Sequence, residues 1–120
     1  MRACEIAAIA VQDRTFLHGA YVDPIYQARR EQALIVAVNC TQAASTCFCT
    51  SMNTGPRCSA GFDLALTELP DGFLVETGSS AGEAILEKLT VRPSEPAEAA
   101  AGDAARRRAV DQIARRMDTT

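Results

Sequence analysis

Residues 33–39, Ala-Leu-Ile-Val-Ala-Val-Asn, form a near-continuous apolar run carrying the β-branched residues Ile35, Val36 and Val38. Such a run reads as a strand buried on both faces, the kind found in α/β sheets. The segment after it, Cys40 to Gly61, is dense in turn-forming residues and holds four of the five cysteines. An irregular stretch of that length inside a compact domain calls for a purpose. A buried strand that delivers the chain into a cysteine-rich loop is the feature any fold for this chain must accommodate.

The neighbouring segments supply the rest of the frame. Cys4 to Leu17 reads as a helix, with Ile6, Ile9 and Ala10 at helical spacing and His18-Gly19 ending it. Asp23-Pro24 is a cap followed by proline at the first helical position, so a second short helix runs to about Glu31. Phe62–Leu69 and Phe73–Thr77 read as strands joined through the turn Pro70-Asp71-Gly72. Ser80-Ala81-Gly82-Glu83 fits a capping box, so a helix runs from 80 to about 90 with Ile85, Leu86 and Leu89 inward. Pro93 and Pro96 break that helix. Between Glu95 and Asp118 stand five acidic and five basic residues, with a thin stripe of Val110, Ile113 and Met117. This tail reads as a solvated helix packed lightly on the domain, or as a helical connector. The expected fold is α/β: a small mixed sheet flanked by helices, with a long Cys-rich loop and a loosely attached C-terminal helix. The expected division is an α/β domain over 1–92 and a linker with helical connector over 93–120.

Composition narrows the function. A formal net charge of −3 argues against a nucleic-acid binder working through a basic surface. No apolar run approaches the roughly 18–20 residues of a membrane span. The first residues lack the pattern of a secretory signal, so the expected location is cytoplasmic. In that reducing setting, five cysteines point to metal, cluster or catalytic chemistry more than to a disulfide framework. With His18 the single histidine, any metal site must be rich in thiolate. The same scarcity leaves no Ser-His-Asp or Cys-His pair.

Cys40, Cys47, Cys49 and Cys58 are spaced C-x6-C-x-C-x8-C. That is neither the C-x2-C of zinc ribbons nor the C-x2-C-x2-C of bacterial ferredoxins. Soft thiolates select zinc, copper(I) or iron–sulfur, and spacing alone does not choose among them. The plain alternative is that one or two of these cysteines are ordinary buried small apolar residues. Other candidates read as structural. His18 is a helix-end residue, Arg29-Arg30 a solvated helix face, and Gly78 to Gly82 a capped helix start without the lysine of a P-loop.

Several ordered segments carry a resemblance. Arg2-Ala3-Cys4-Glu5-Ile6-Ala7-Ala8-Ile9 resembles the G-V-R-x-C-(Asp or Glu)-x-x-A-I segment of the β (iron–sulfur) subunits of sulfhydrogenases, the cytosolic NAD(P)-linked nickel–iron hydrogenases. The iron–sulfur subunits of anaerobic sulfite reductases have a similar segment. Asp13-Arg14-x-Phe16 is similar to that family's D-R-x-F, and Asp23-Pro24-x-Tyr26-x-x-Arg29-Arg30 to its D-P-x-Y-x-x-R-R. Val38-Asn39-Cys40, Thr46-Cys47-Phe48-Cys49-Thr50-Ser51-Met52, Thr54-Gly55-Pro56 and Gly61 to Glu68 follow in the family's order. The resemblance spans about residues 2–90, and the T-C-F-C-x-S-M-x-T-G-P run is its most specific part. The family has chain before G-V-R and continues past a segment like 115–120 into a region with two C-x2-C-x2-C-x3-C-P motifs. The sequence thus resembles an internal piece of a longer subunit, or a product truncated at both ends.

The resemblance implies a non-catalytic electron-transfer module of a cytosolic hydrogenase or of a sulfur- or sulfite-reductase-type complex, partnered by other redox subunits. It groups Cys4, Cys40, Cys47 and Cys49 as ligands of one 4Fe–4S cluster, with Cys58 a spare thiol or alternate ligand. All four would converge if the first helix starts beside the C-terminal end of the central strand, where open α/β sheets place their sites. The alternatives are a structural zinc-thiolate domain and a partner-binding scaffold fragment without a cluster.

Overall fold

A computed structural model describes residues 1–119; Thr120, the last residue of the expected connector, lies outside the described residues. The elements run α1 (Ala3–Phe16), α2 (Pro24–Glu31), β1 (Val36–Asn39), β2 (Leu64–Leu69), β3 (Gly72–Thr77), α3 (Ser80–Leu86) and α4 (Pro96–Gln112). The fold is α/β, with a mixed three-stranded sheet in the order β1-β2-β3.

Strands β2 and β3 form an antiparallel hairpin from Leu64↔Thr77 to Leu69↔Gly72, closed by Pro70-Asp71. Strands β1 and β2 are parallel, from Val36↔Leu64 to Asn39↔Thr67. A parallel pair needs a crossover of a dozen or more residues, usually a helix. Here the crossover is the cysteine-rich loop itself. Part of its length is therefore demanded by topology.

Cross-strand partners share a face of the sheet. Ala37, Ala65, Asn39, Thr67 and Leu74 lie on one face. Ala37 and Ala65 join Ala3, Ile6, Ile35 and Cys58 in the buried core, with Ile9 and Phe62 packed against it. The other face carries Val36, Val38, Leu66, Val75 and Phe73, and α3 reaches its Leu64 corner. Val36 is 36% and Val38 40% exposed. The strand expected at the centre is β1, which lies at one edge of the sheet with β2 in the middle; it is buried on one face, not two, and is four residues long. Residues 33–35 approach it as extended chain, and Asp63 closes over them: its carboxylate accepts from the Ile35 N–H at 2.7 Å.

The free edge of β1 is covered by the chain's own start. The Met1 ammonium donates to the Val36 carbonyl (2.7 Å), the Val38 N–H donates to the Met1 carbonyl (2.7 Å), and Arg2 pairs in parallel with Val38. Helix α1 springs from this bridge.

The α2 cap forms as its sequence dictates, Asp23 Oδ1 accepting from the N–H groups of Ile25 and Tyr26. The cap of α3 falls one residue early: Ser79, not Ser80, accepts from the Gly82 N–H at 3.1 Å, because Ser79 also donates to Asp63. That helix ends at Leu86, leaving Leu89 exposed.

Helix α4 rests on β2 and β3 through a different face from the expected stripe. Gly102, Ala105, Ala109 and Ile113 are buried, while Val110 and Met117 are exposed. A Cβ at Gly102 would stand 2.6 Å from Leu74 Cδ1, so glycine there sets how closely helix and sheet approach. The buried face is made of small residues plus one isoleucine, which is light packing. The whole molecule is a slab, with principal extents of 48 × 42 × 17 Å.

Candidate thiol site

The bridge at the start of the chain explains where the cysteines fall. Arg2 lies beside Val38 in a parallel pairing, so advancing two residues along each segment brings Cys4 and Cys40 to the same end of the sheet. Cys4 sits exposed in the first turn of α1; Cys40 leaves the end of β1 half-buried. The start of α1 is held by Glu5, whose carboxylate accepts from the Arg2 N–H (2.7 Å) and pairs with its guanidinium (2.8 Å). These contacts hold the Glu5 carboxyl down at about 2.

The loop then turns back on itself through local hydrogen bonds. The Cys47 N–H donates to the Ala44 carbonyl (3.1 Å), while the Ala44 N–H points at Cys47 Sγ (3.3 Å). The Cys49 carbonyl accepts from the N–H groups of Met52 (3.2 Å) and Thr54 (3.0 Å). This turn closes against the start of α1 at Gly55, where a Cβ would lie 3.2 Å from Ala3 Cβ and 3.4 Å from Cys49 Sγ. Cys49 is thereby seated beside the helix that carries Cys4.

Electrostatics reports the same grouping. Burial pushes the Cys40 thiol up, and the sulfurs of Cys4, Cys49 and Cys47 push it further, while Arg2 pulls it down. Burial likewise raises Cys49, followed by Cys4 and Cys47, against the pull of the Cys49 and Thr50 backbone N–H groups. Cys40 and Cys49 thus each feel the sulfurs of Cys4 and Cys47, and the same coupling reaches Cys58 through Cys40 and Cys4. All five thiols are free. Among the described residues, no three His, Cys, Asp or Glu side chains are arranged to hold a metal ion.

The donor chemistry suits a sulfur-bound group. Thr50 Oγ1 is buried with no hydrogen-bond partner, one residue from Cys49. A buried hydroxyl left unpaired is costly, and a thiolate or sulfide acceptor would satisfy it.

Cys58 stands apart. It is 5% exposed, packs in the apolar core, and its N–H donates to Asn39 Oδ1 at 2.8 Å. Burial raises its thiol first, then Cys40 and, further down, Cys4, so Cys58 differs from the other thiols in its burial and its anchored N–H rather than in electrostatic reach. Sequence reasoning missed Asn39, whose only signal was a polar residue closing an apolar strand.

The remaining motif residues turn out to be structural. Asp13 accepts from Tyr26 Oη (2.6 Å) and from Arg30 Nε (3.1 and 3.2 Å), and the Phe16 and Tyr26 rings lie 5.0 Å apart. Arg30 is therefore not part of a solvated face; with Asp13, Phe16 and Tyr26 it clasps α2 to α1. Burial pushes the Asp13 carboxyl up, but the Tyr26 and Arg30 bonds outweigh it and hold the group below its ordinary value. His18 lies exposed past the end of α1 remote from Cys4.

The fold defines a class: a small α/β domain whose parallel crossover between β1 and β2 is a cysteine-rich loop. The comparison with known proteins is more specific. Over 82 residues the chain is 40% identical to sulfhydrogenase 2 subunit beta of Pyrococcus furiosus, a match covering 68% of this chain and 24% of that protein. The chain is therefore related to a sulfhydrogenase β subunit, and the match spans about a quarter of that relative's length. No protein-family model and no solved structure matches.

Proposed function

We propose that this chain is an electron-transfer module of a cytoplasmic hydrogenase-type or sulfur- or sulfite-reductase-type complex, holding one 4Fe–4S cluster on Cys4, Cys40, Cys47 and Cys49. What supports the reading is that three separate elements, the start of α1, the end of β1 and the crossover loop, bring cysteines to one end of the sheet, with Gly55 packed between Ala3 and Cys49. The unpaired Thr50 hydroxyl and the backbone N–H groups aimed at Cys49 add donors of the kind that tune cluster potential. When bound, such a cluster supplies one-electron chemistry. The chain's own residues position the thiolates, offset their charge through Arg2, and present the site at the surface through exposed Cys4. Its partners would be the other redox subunits of the complex. No described helix is long and apolar enough to cross a membrane.

A tetrahedral zinc with Zn–S bonds of about 2.3 Å draws its four sulfurs into tight mutual contact. A four-iron cluster binds each thiolate at a different corner and spreads them wider. Metal analysis of the chain tells the two arrangements apart.

The deciding experiment is anaerobic purification, or reconstitution with ferrous iron and sulfide, followed by iron, sulfide and zinc analysis and a visible spectrum. About four irons per chain with broad visible absorbance is the expected result. Colourless protein with stoichiometric zinc overturns it in favour of a structural site. Protein holding neither leaves the scaffold reading.

A further inference from the structure

The five thiols are not equivalent, and what separates them is a buried polar chain behind the site. Asn39 is 1% exposed and Thr67 0% exposed, both on the covered face of the sheet. Asn39 Nδ2 donates to Thr67 Oγ1 at 2.9 Å and to Glu76 Oε2 at 3.4 Å. Glu76 is paired in turn with Arg57 at 2.9 Å, one residue before Cys58. From α4, Arg106 Nη1 donates to the same Thr67 oxygen at 3.0 Å, and Arg106 is tied to Asp103 within its helix. The other end of Asn39 grips the loop, its Oδ1 accepting from the Cys58 N–H. Asn39 immediately precedes Cys40, so one buried amide fixes the backbone at two cysteines at once.

Buried polar groups of this kind are retained when every member is satisfied, and they then specify a single arrangement. An apolar side chain at position 39 would suit the strand equally well. What it would lose is the hold on Cys58. With that N–H anchored and its side chain in the Ala3, Ile6 and Ala65 core, Cys58 is kept from joining the thiols outside. Cys40, on the next residue, leaves the strand toward Cys4 and Cys49.

We infer that Asn39 is a positioning residue that sorts the thiols, locking Cys58 into the core and out of the ligand group, with Thr67 and Arg106 of α4 as its remote anchor. The identity of the sorted ligand group rests on the proposed function; the lock itself does not.

The test uses the full reduced chain and measures the N-ethylmaleimide alkylation rate of each cysteine by mass spectrometry. In the unaltered protein Cys58 is expected to be the slowest thiol and Cys4 among the fastest. Asn39→Ala, leaving the Cys58 N–H buried without its acceptor, should speed Cys58 about tenfold or more relative to Cys4. Arg106→Ala, which acts on Asn39 only through Thr67, should move Cys58 in the same direction by a smaller factor. This second variant decides the matter if Asn39→Ala fails to fold. Cys58 reacting as fast as Cys4 before any substitution, or unchanged in the folded variants, overturns the lock. A second arm reconstitutes each protein anaerobically with ferrous iron and sulfide and maps which cysteines become protected. Protection of Cys4, Cys40, Cys47 and Cys49 in the unaltered chain, shifting partly to Cys58 in Asn39→Ala, is expected. Protection of Cys58 in the unaltered chain overturns the sorting. If the unaltered chain takes up no iron, the cluster reading falls, while the alkylation arm still decides the lock.

Discussion

The two ends of helix α1 are built to opposite rules. At its C-terminal end, Asp13 receives Tyr26 and Arg30 while Phe16 packs on the Tyr26 ring. At its N-terminal end, Cys4 is exposed, Cys49 lies across Gly55 from Ala3, and the Thr50 hydroxyl in the adjoining loop has no partner. The first end spends its hydrogen-bonding capacity internally. The second keeps donors and soft ligands in reserve. A buried side-chain group left unpaired is rare enough that the one at Thr50 is informative. The saturated end is scaffold, and the other end is the one the proposed function uses.

Substitutions at the two ends should therefore act on different quantities. Cys47→Ser or Cys49→Ser is expected to remove most of the iron or other metal held by the chain, with the far-ultraviolet dichroism kept. Cys58→Ser should change metal content little. Equal loss at all three positions would erase the contrast between the grouped thiols and the core one. Asp13→Ala should do the reverse, lowering unfolding stability by about 1–3 kcal/mol because it strands a half-buried arginine and a tyrosine hydroxyl. Metal content per folded chain should be unchanged, as urea denaturation and metal analysis on the same preparation would show.

Thr50→Val sharpens the comparison further. It replaces a hydroxyl that has no partner, so apo stability should move by no more than about 0.5 kcal/mol in urea denaturation, and upward if at all. In the loaded protein it should alter the reduction potential measured by spectroscopic titration, since a donor near sulfur is lost. The smallest effect belongs to Glu5. Its folded carboxyl is held at about 2 against an ordinary 4.5, so its contribution is complete above pH 4.5 and fades as pH falls toward 2. Amide exchange at the first turn of α1 should speed over that window, and Glu5→Gln should abolish the dependence. The Asp13 end also weakens in acid, its carboxyl being held below the ordinary value, so a first turn that keeps its pH dependence in Glu5→Gln would contradict the assignment.

Much of this was legible in the residues. The α2 cap, the Pro70-Asp71 hairpin and the order of elements follow from short-range turn and capping chemistry, which acts within a few positions. What escaped was set by long-range pairing. The run 33–39 cannot announce that Met1 and Arg2 will lie along its edge, nor that Val36 and Val38 will face outward. The buried face of α4 was hidden because alanine fills both sides of that helix; the contact is decided by Gly102 meeting Leu74. Arg30 looked like any surface arginine because its partner, Asp13, lies on another helix. Cys40, Cys47, Cys49 and Cys58 were visible as a spacing, and Cys4 joined the candidates only through the resemblance; the contact that holds the Cys58 backbone, to Asn39 across the crossover, leaves no local signal.

The slab shape carries a consequence for how this protein senses its solution. At 17 Å through its thinnest direction, the interior lies no more than about half that distance from a broad surface. That depth is close to the Debye length of about 8 Å at physiological ionic strength. Mobile ions on either broad side therefore reach, electrically, to the middle of the molecule. The mutual repulsion among ionised thiolates, and the pull of Arg2 on Cys40, are fields that dissolved salt can damp. The acidity of Cys40 should accordingly drift with ionic strength, as the thiol of a deeply enclosed cysteine would not.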